Sequence, residues 1–478
     1  MADKAMRDMT KGSPMKLILG FLIPMLFGLL FQQFYSMMDT IIVGKYLGVQ
    51  ALASVGATGS VNFMIIGFCM GICSGFAIPV AQKFGEKNEV MLRRYVANGA
   101  WLAAGFAAAM TIVVCILCRQ ILVWMRTPGD IIDGAYAYIF VIFLGIPATF
   151  LYNMLSGIIR SLGDSTTPLY FLLISSVMNI ILDLFTIIVL HMGVAGAAWA
   201  TVISQAVSGA LCFLYMRRKF TILRMHKGEW KPDGASMRTL CSMGIPMGLQ
   251  YSITAIGSVV LQTAVNTLGS VAVASVTAGS KVSMLFCCPF EAMGSTMATY
   301  GGQNVGARRL DRIGEGMKAC VTMGAIYAAM AFVALYFFSD TIALLFVDAS
   351  ETEILINARR FLLVNSAMYF PLALVNIVRF MIQGLGFSRL AILAGVCEMA
   401  ARSLVGFCLV PIFGYAGACL SNPSAWIAAD LFLIPAYIHV MKHLRRTVPQ
   451  ADVQGTEEET AGKKAEGYRK KRLLRALG

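Results

Sequence analysis

The sequence predicts an all-α membrane protein, with twelve transmembrane helices in two six-helix parallel repeats around a central cleft. Three observations carry that reading. Of 478 residues, 58% are hydrophobic and only 13% are charged, a balance too apolar for an ordinary soluble domain. The apolar residues gather in runs that can cross a hydrocarbon layer about 30 Å thick, which takes roughly 20 residues per helix. The chain also repeats itself at an offset of 221 residues.

The runs fall at 17–44, 53–82, 95–118, 132–158, 168–190, 194–216, 240–265, 278–302, 318–346, 355–383, 390–412 and 417–441. An even number of spans puts both termini on one side. With the connecting loops assigned alternately, 31 of the 39 Lys and Arg residues lie on the side of the termini and 5 on the other, and Lys281, Arg379 and Arg402 lie within spans. The rich side is cytoplasmic by the positive-inside rule, so a multi-pass protein with both termini in the cytoplasm is expected. The net charge of +14 thus reads as orientation and contact with anionic lipid, not as nucleic-acid binding. The first run is too long for a cleavable leader and lacks a small-residue cleavage site. Twelve cysteines are scattered through the spans, and Cys115 and Cys118 form a lone CxxC without partner ligands, so no metal or redox centre is expected.

The repeat sets LGVQALASV (47–55) over LGSVAVASV (268–276), Gln82 and Gly85 over Gln303 and Gly306, and GVAGAA (193–198) over GYAGAC (414–419). Small shifts pair Pro24 with Pro246 and Asn153 with Asn376. The expected organisation is a cytoplasmic segment 1–16, a first bundle 17–216, a basic linker 217–239, a second bundle 240–441 and a cytoplasmic, disordered tail 442–478 whose basic end could lie on the membrane. Six spans per half make equivalent helices run the same way, a plan found in secondary transporters with a substrate cleft between the halves.

Five acidic residues fall within spans: Asp39, Asp183, Glu291, Glu398 and Asp430. A carboxylate at the bilayer centre costs roughly 2.5 to 3.5 kcal/mol on insertion scales, so each is a functional candidate. Tyr35 and Gln32 share the helical face of Asp39, and Asn179 lies one turn before Asp183. Thr201, Ser204 and Gln205 in the sixth span and Tyr138 in the fourth complete a polar set. If these helices converge, burial and mutual repulsion favour the protonated form of the carboxylates, and the same oxygens suit a sodium ion. A Na+ site would draw on Asp39, Asn179, Asp183 and Thr201. The positions equivalent to the two aspartates are Val260 and Leu404, so the halves diverge where chemistry is expected. Glu291, Arg379 and Arg402, with Gln32 and Gln205, are candidates for the substrate cleft. Glu398 and Arg402 are spaced to pair on one helix, and the roles of Lys281 and Asp430 stay open. Gly67, Gly71 and Gly75 suit close helix packing. Gly20, Pro24 and Gly28 weaken the first helix and make Pro24 a candidate hinge.

Pro24 followed by the aspartate of MDTIIVGKYLG, the NxxxD of Asn179 and Asp183, GVAGAA before the sixth span, GQNVGA at 302–307 and twelve spans in duplicated sixes together resemble the multidrug and toxic compound extrusion (MATE) family. The resemblance implies a multi-pass antiporter of the cytoplasmic (plasma) membrane that exports organic, often cationic compounds in exchange for H+ or Na+, with no cofactor, working as a monomer on small-molecule substrates. It is nearest to the branch typified by the DNA-damage-inducible protein F, which implies ion coupling at Asp39, Tyr35, Tyr138, Asn179, Asp183 and Thr201. A branch that relies on acids in spans 7 and 10 fits less well, since Arg379 stands in span 10. The alternatives are a flippase for lipids or lipid-linked oligosaccharides and, of another class, an intramembrane enzyme. The last lacks any HExxH or GxSxG motif or paired nucleophile and base within the spans.

Overall fold

The computed structural model describes residues 6–344 and 350–449. Among these, every regular element is helical. In chain order the long helices are α1 (Pro14–Leu47), α2 (Val49–Gly85), α3 (Glu89–Trp124), α4 (Ile132–Leu144 with Ile146–Ser161), α5 (Thr166–Val189) and α6 (Gly193–Lys219). They continue as α7 (Gly234–Asn266), α8 (Ser270–Gly306), α9 (Leu310–Ala343), α10 (Thr352–Ala367 with Tyr369–Gly384), α11 (Ser388–Phe413) and α12 (Tyr415–Thr447). Ten are single helices long and apolar enough to cross a membrane, and α4 and α10 make twelve when each bent pair counts as one span. The expected end of the ninth span (345–346) and the tail from 450 onward lie outside the described residues.

The bends in α4 and α10, 45° and 51°, depart from the continuous spans expected at 132–158 and 355–383. Pro147 and Pro371 lie in the first turn after the breaks at Gly145 and Met368. Proline lacks the N–H for the ladder and its ring crowds the carbonyl four residues back, here Phe143 and Ala367, so each helix stops and restarts. Uninterrupted hydropathy across both breaks hides them from a span count. Two further departures from α geometry, π turns at Phe185–Val189 and Val405–Leu409, occupy matching places near the ends of α5 and α11.

The duplication is written into the backbone as well as the sequence. Gly48 and Gly269 take φ of 85° and 96°, and Gly193 and Gly414 take 61° and 57°. Lys87 and Arg308, with side chains that disfavour the left-handed region, both sit at 59°. A turn that tolerates the same strain twice is one inherited turn.

Two large apolar cores form, with a smaller third around Val265, Phe361 and Val405 in the second half. One large core draws on residues from Ile42 to Leu240 and the second on Val282 to Leu444. Met9, Ile18, Phe21 and Leu22 belong to the second core, so the chain starts against the second half and α1 passes from one half to the other. The halves meet along α2 and α7, where small residues let backbones touch. A Cβ added at Gly71 would lie 2.6 Å from the Met247 carbonyl, and one at Gly75 would lie 2.4 Å from Gly244 Cα. Toward the opposite face the last hydrogen bond joining the halves among the described residues runs from Ser252 Oγ to the Met64 carbonyl, 3.4 Å. Beyond it Val49 and Val259 are exposed. The halves are therefore fastened at the basic face, and no hydrogen bond joins them beyond Ser252 among the described residues.

Candidate functional site

Asp39 and Asp183 come within electrostatic range of each other in the first half. Helix α1 packs on α5, and α5 on α6, a crossing fixed by Ser175 Oγ donating to the Ser204 carbonyl at 2.9 Å. One turn further along, Asn179 Nδ2 donates to Thr201 Oγ1 at 3.4 Å, and Thr201 in turn donates to the Ala197 carbonyl of its own helix. Asp183 follows Asn179 by four residues on the same face and is fully buried. The π turn that starts two residues later rephases the helix at this point, and such turns recur at functional sites.

The unmet valences define the chemistry. Both carboxylate oxygens of Asp183, Oδ1 of Asp39, Oδ1 of Asn179 and Oγ of Ser204 are buried without a hydrogen-bond partner. A desolvated carboxylate with no donor is costly in its charged form, a cost that protonation or a nearby cation would relieve. Asp39 and Asp183 lie within electrostatic range of each other, and Tyr138 lies within range of both and of Tyr35. The Tyr35 hydroxyl reaches Gln32 and Gln205, and Gln205 accepts a 2.7 Å hydrogen bond from Thr149. The structure thus gathers Asp39, Asp183, Asn179, Thr201, Tyr35, Tyr138, Gln32 and Gln205. Thr149 and Tyr152, the latter also within range of Tyr35, were not anticipated. Their shared face on α4, three residues apart, was the available signal.

The second half treats its charges differently. Glu398 on α11 pairs with Arg379 on α10, and Arg402 stands 3.8 Å from its other oxygen. The spacing of Glu398 and Arg402 had suggested a bond along one helix, but the tighter partner comes from the neighbouring helix. Arg379 and Arg402, expected to line the cleft, are 6% and 7% exposed and sit inside this cluster. Asp430 is buried within electrostatic range of Arg379. Glu291 and Lys281 on α8 are exposed, and Glu291, Arg379 and Arg160 all lie within range of Tyr251, which packs on Gly67 where the halves meet.

The MatE family description matches residues 24–185 and 246–408, one match in each half. The chain belongs to the MatE family. It is a multi-pass transporter of small molecules, not an enzyme. It is 28% identical to the probable multidrug resistance protein YoeA of Bacillus subtilis over 358 residues, 73% of this chain and 76% of that one. It is 21% identical to a FAD transporter of Shewanella oneidensis over 366 residues, 76% of this chain and 80% of that one. Among solved structures, one described as the outward-facing conformation of a multidrug resistance MATE family transporter superposes with a TM-score of 0.87 at 21% identity, covering 92% of this chain and 98% of that one. The shared fold is the twelve-helix arrangement described above.

Proposed function

We propose that the protein is a secondary antiporter of the plasma membrane that exports organic, mainly cationic or amphipathic compounds in exchange for H+ or Na+. The reading extends to both termini being cytoplasmic, to a single chain being sufficient, and to the bundles 17–216 and 240–441 rocking as bodies about linker 217–239. The observation that carries it is the pair of buried aspartates, Asp39 and Asp183, that lie within electrostatic range of each other with three of their four oxygens unpartnered. An ion held at Asp39 and Asp183 and a substrate held in the cleft stabilise different states of one equilibrium, and exchange follows from that competition. A monovalent cation entering down 100 mV contributes about 2.3 kcal/mol, equivalent to a concentration ratio of roughly fifty. Pro24 lies inside α1, ahead of Asp39 on the same helix, so bending there would transmit site occupancy to the cleft. Pro24→Ala with unchanged transport and ion binding would remove that link.

Transport of fluorescent cations into inverted vesicles, with a proton or a sodium gradient imposed alone, identifies the coupling ion. Full gradient-driven export by Asp39→Asn would refute the assignment. Lys281, exposed on α8, together with a relative named as a FAD transporter, supports a second reading in which the cargo is anionic or zwitterionic. The same vesicles loaded with an anionic dye separate the two.

A further inference from the structure

At the basic face, the halves are fastened by a pair of contacts related by the duplication. Gln82 at the end of α2 donates through Nε2 to the Gly384 carbonyl at the end of α10, 3.0 Å. Gln303 at the end of α8 donates through Nε2 to the Ser161 carbonyl at the end of α4, 2.9 Å. Each amide reaches into the other half and each acceptor is the last residue of the bent fourth helix of its repeat. Beside them the backbones touch. A Cβ at Gly85 would lie 1.9 Å from the Gln303 carbonyl oxygen, and one at Gly306 would lie 1.9 Å from that of Gln82.

Two straps reinforce the closure. The segment ahead of α1 is held by the second half. Met9 N–H donates to Gln303 Oε1 at 2.9 Å, Asn304 Nδ2 donates to the Met9 carbonyl at 3.3 Å, and Arg312 donates to the Gly12 carbonyl at 2.8 Å. The same segment touches the first half where Arg7 N–H donates to the Leu162 carbonyl at 3.1 Å. The linker ahead of α7 is held in turn by the first half. Arg93 on α3 bonds both oxygens of Glu229, and Asn98 accepts from the Asp233 N–H at 2.8 Å. Gln303 belongs to both systems, since its amide fastens α4 while its oxygen fastens the strap. All of these bonds lie at one end of the interface.

We propose that Gln82 and Gln303 are the positioning residues of an inner gate: a twofold latch that keeps the basic face closed while the cleft faces the other side, and that releases together with the α1 strap when the transporter turns over. The proposal rests on the rocking of two halves read above and adds the contacts that set its resting state. No such pair joins the halves at the opposite end among the described residues, so loss of the latch moves the population toward opening at the basic face.

The test is amide hydrogen exchange of the full-length protein in lipid nanodiscs, without substrate or ion gradient, read on the peptide covering residues 6–12. Gln82→Ala is the informative variant because Gln82 touches neither strap, so a change there must come through the gate. Exchange of that peptide is expected to rise about two- to tenfold, the factor that one net hydrogen bond supplies. Gly306→Ala, which drives a methyl group into the Gln82 carbonyl, is expected to give a larger rise. Tyr327→Phe, which removes a 3.0 Å bond to the Phe286 carbonyl within the second half, should leave the peptide protected. Unchanged exchange in Gln82→Ala, or an equal rise in Tyr327→Phe, would overturn the latch, and the Gln82→Ala comparison stands even where Gly306→Ala does not fold. Because no gradient is applied, failure of the aspartate assignment leaves this result untouched.

Discussion

The two halves share a backbone and differ in what they do with buried charge. In the first, Asp39 and Asp183 meet without a cation or a donor on three of their four oxygens. In the second, the positions of those aspartates hold Val260 and Leu404, the buried acid Glu398 is neutralised by Arg379 with Arg402 nearby, and Asp430, with one unpartnered oxygen, stands alone within electrostatic range of Arg379. Duplication supplied one scaffold twice. An acid that is fully paired serves packing, whereas an acid kept unpaired at a desolvation cost is available to an exchangeable ion.

The contrast predicts opposite consequences for the same chemical change. Asp39→Asn or Asp183→Asn should reduce gradient-driven transport to the leak rate while leaving the melting temperature in detergent unchanged or higher, because a neutral amide replaces an unpartnered carboxylate. Glu398→Gln should do the reverse, costing about 3 to 5 kcal/mol of stability by stranding buried guanidinium groups, which thermal unfolding would register. If the aspartate variants melt early and Glu398→Gln does not, the division of roles is inverted.

An acid outside the membrane sharpens the comparison at smaller magnitude. Burial raises the cost of ionising Glu229, but the His226 N–H and Arg93 outweigh it and hold its carboxyl below the usual glutamate range. Its contribution is therefore present above the ordinary glutamate pKa of about 4.3 and lost as pH falls through the depressed value. Glu229→Gln should cost about 1.5 to 3 kcal/mol at neutral pH, a charge-assisted bond, and nothing at acidic pH where the wild type is already protonated. The smallest effect is expected for Thr201→Val, which loses a long 3.4 Å bond from Asn179. Stability should fall by less than about 1 kcal/mol while the apparent ion affinity weakens, read by titrating transport with the coupling ion.

Much of this was legible in the chain. Apolar runs separated by basic loops mark the twelve spans, and the 221-residue offset marks the duplication, because membrane insertion and inheritance act on linear sequence. Asp39 and Asp183 stood out because charge is rare in apolar runs, and Gly71 and Gly75 proved to be where α2 meets α7. What depends on proximity across helices was not visible. Arg379 reaches Glu398 from another helix, while spacing revealed only Arg402. The breaks at Gly145 and Met368 leave hydropathy intact, and prolines that only punctuate a span look the same in sequence as those that bend it. The segment at 6–13 is polar and short, and nothing in its composition tells that Met9 would be buried in the core of the second half.

The central claim is that the first half alone exchanges the coupling ion against substrate. Its most direct test is ion release on substrate addition, measured with the purified protein in weakly buffered solution containing the organic cation rhodamine 6G, by a pH electrode in sodium-free medium and by a sodium electrode at constant pH. The account predicts release of one of the two ions by the wild type and by Glu291→Gln, and none by Asp39→Asn or Asp183→Asn. Undiminished release by both aspartate variants would contradict it.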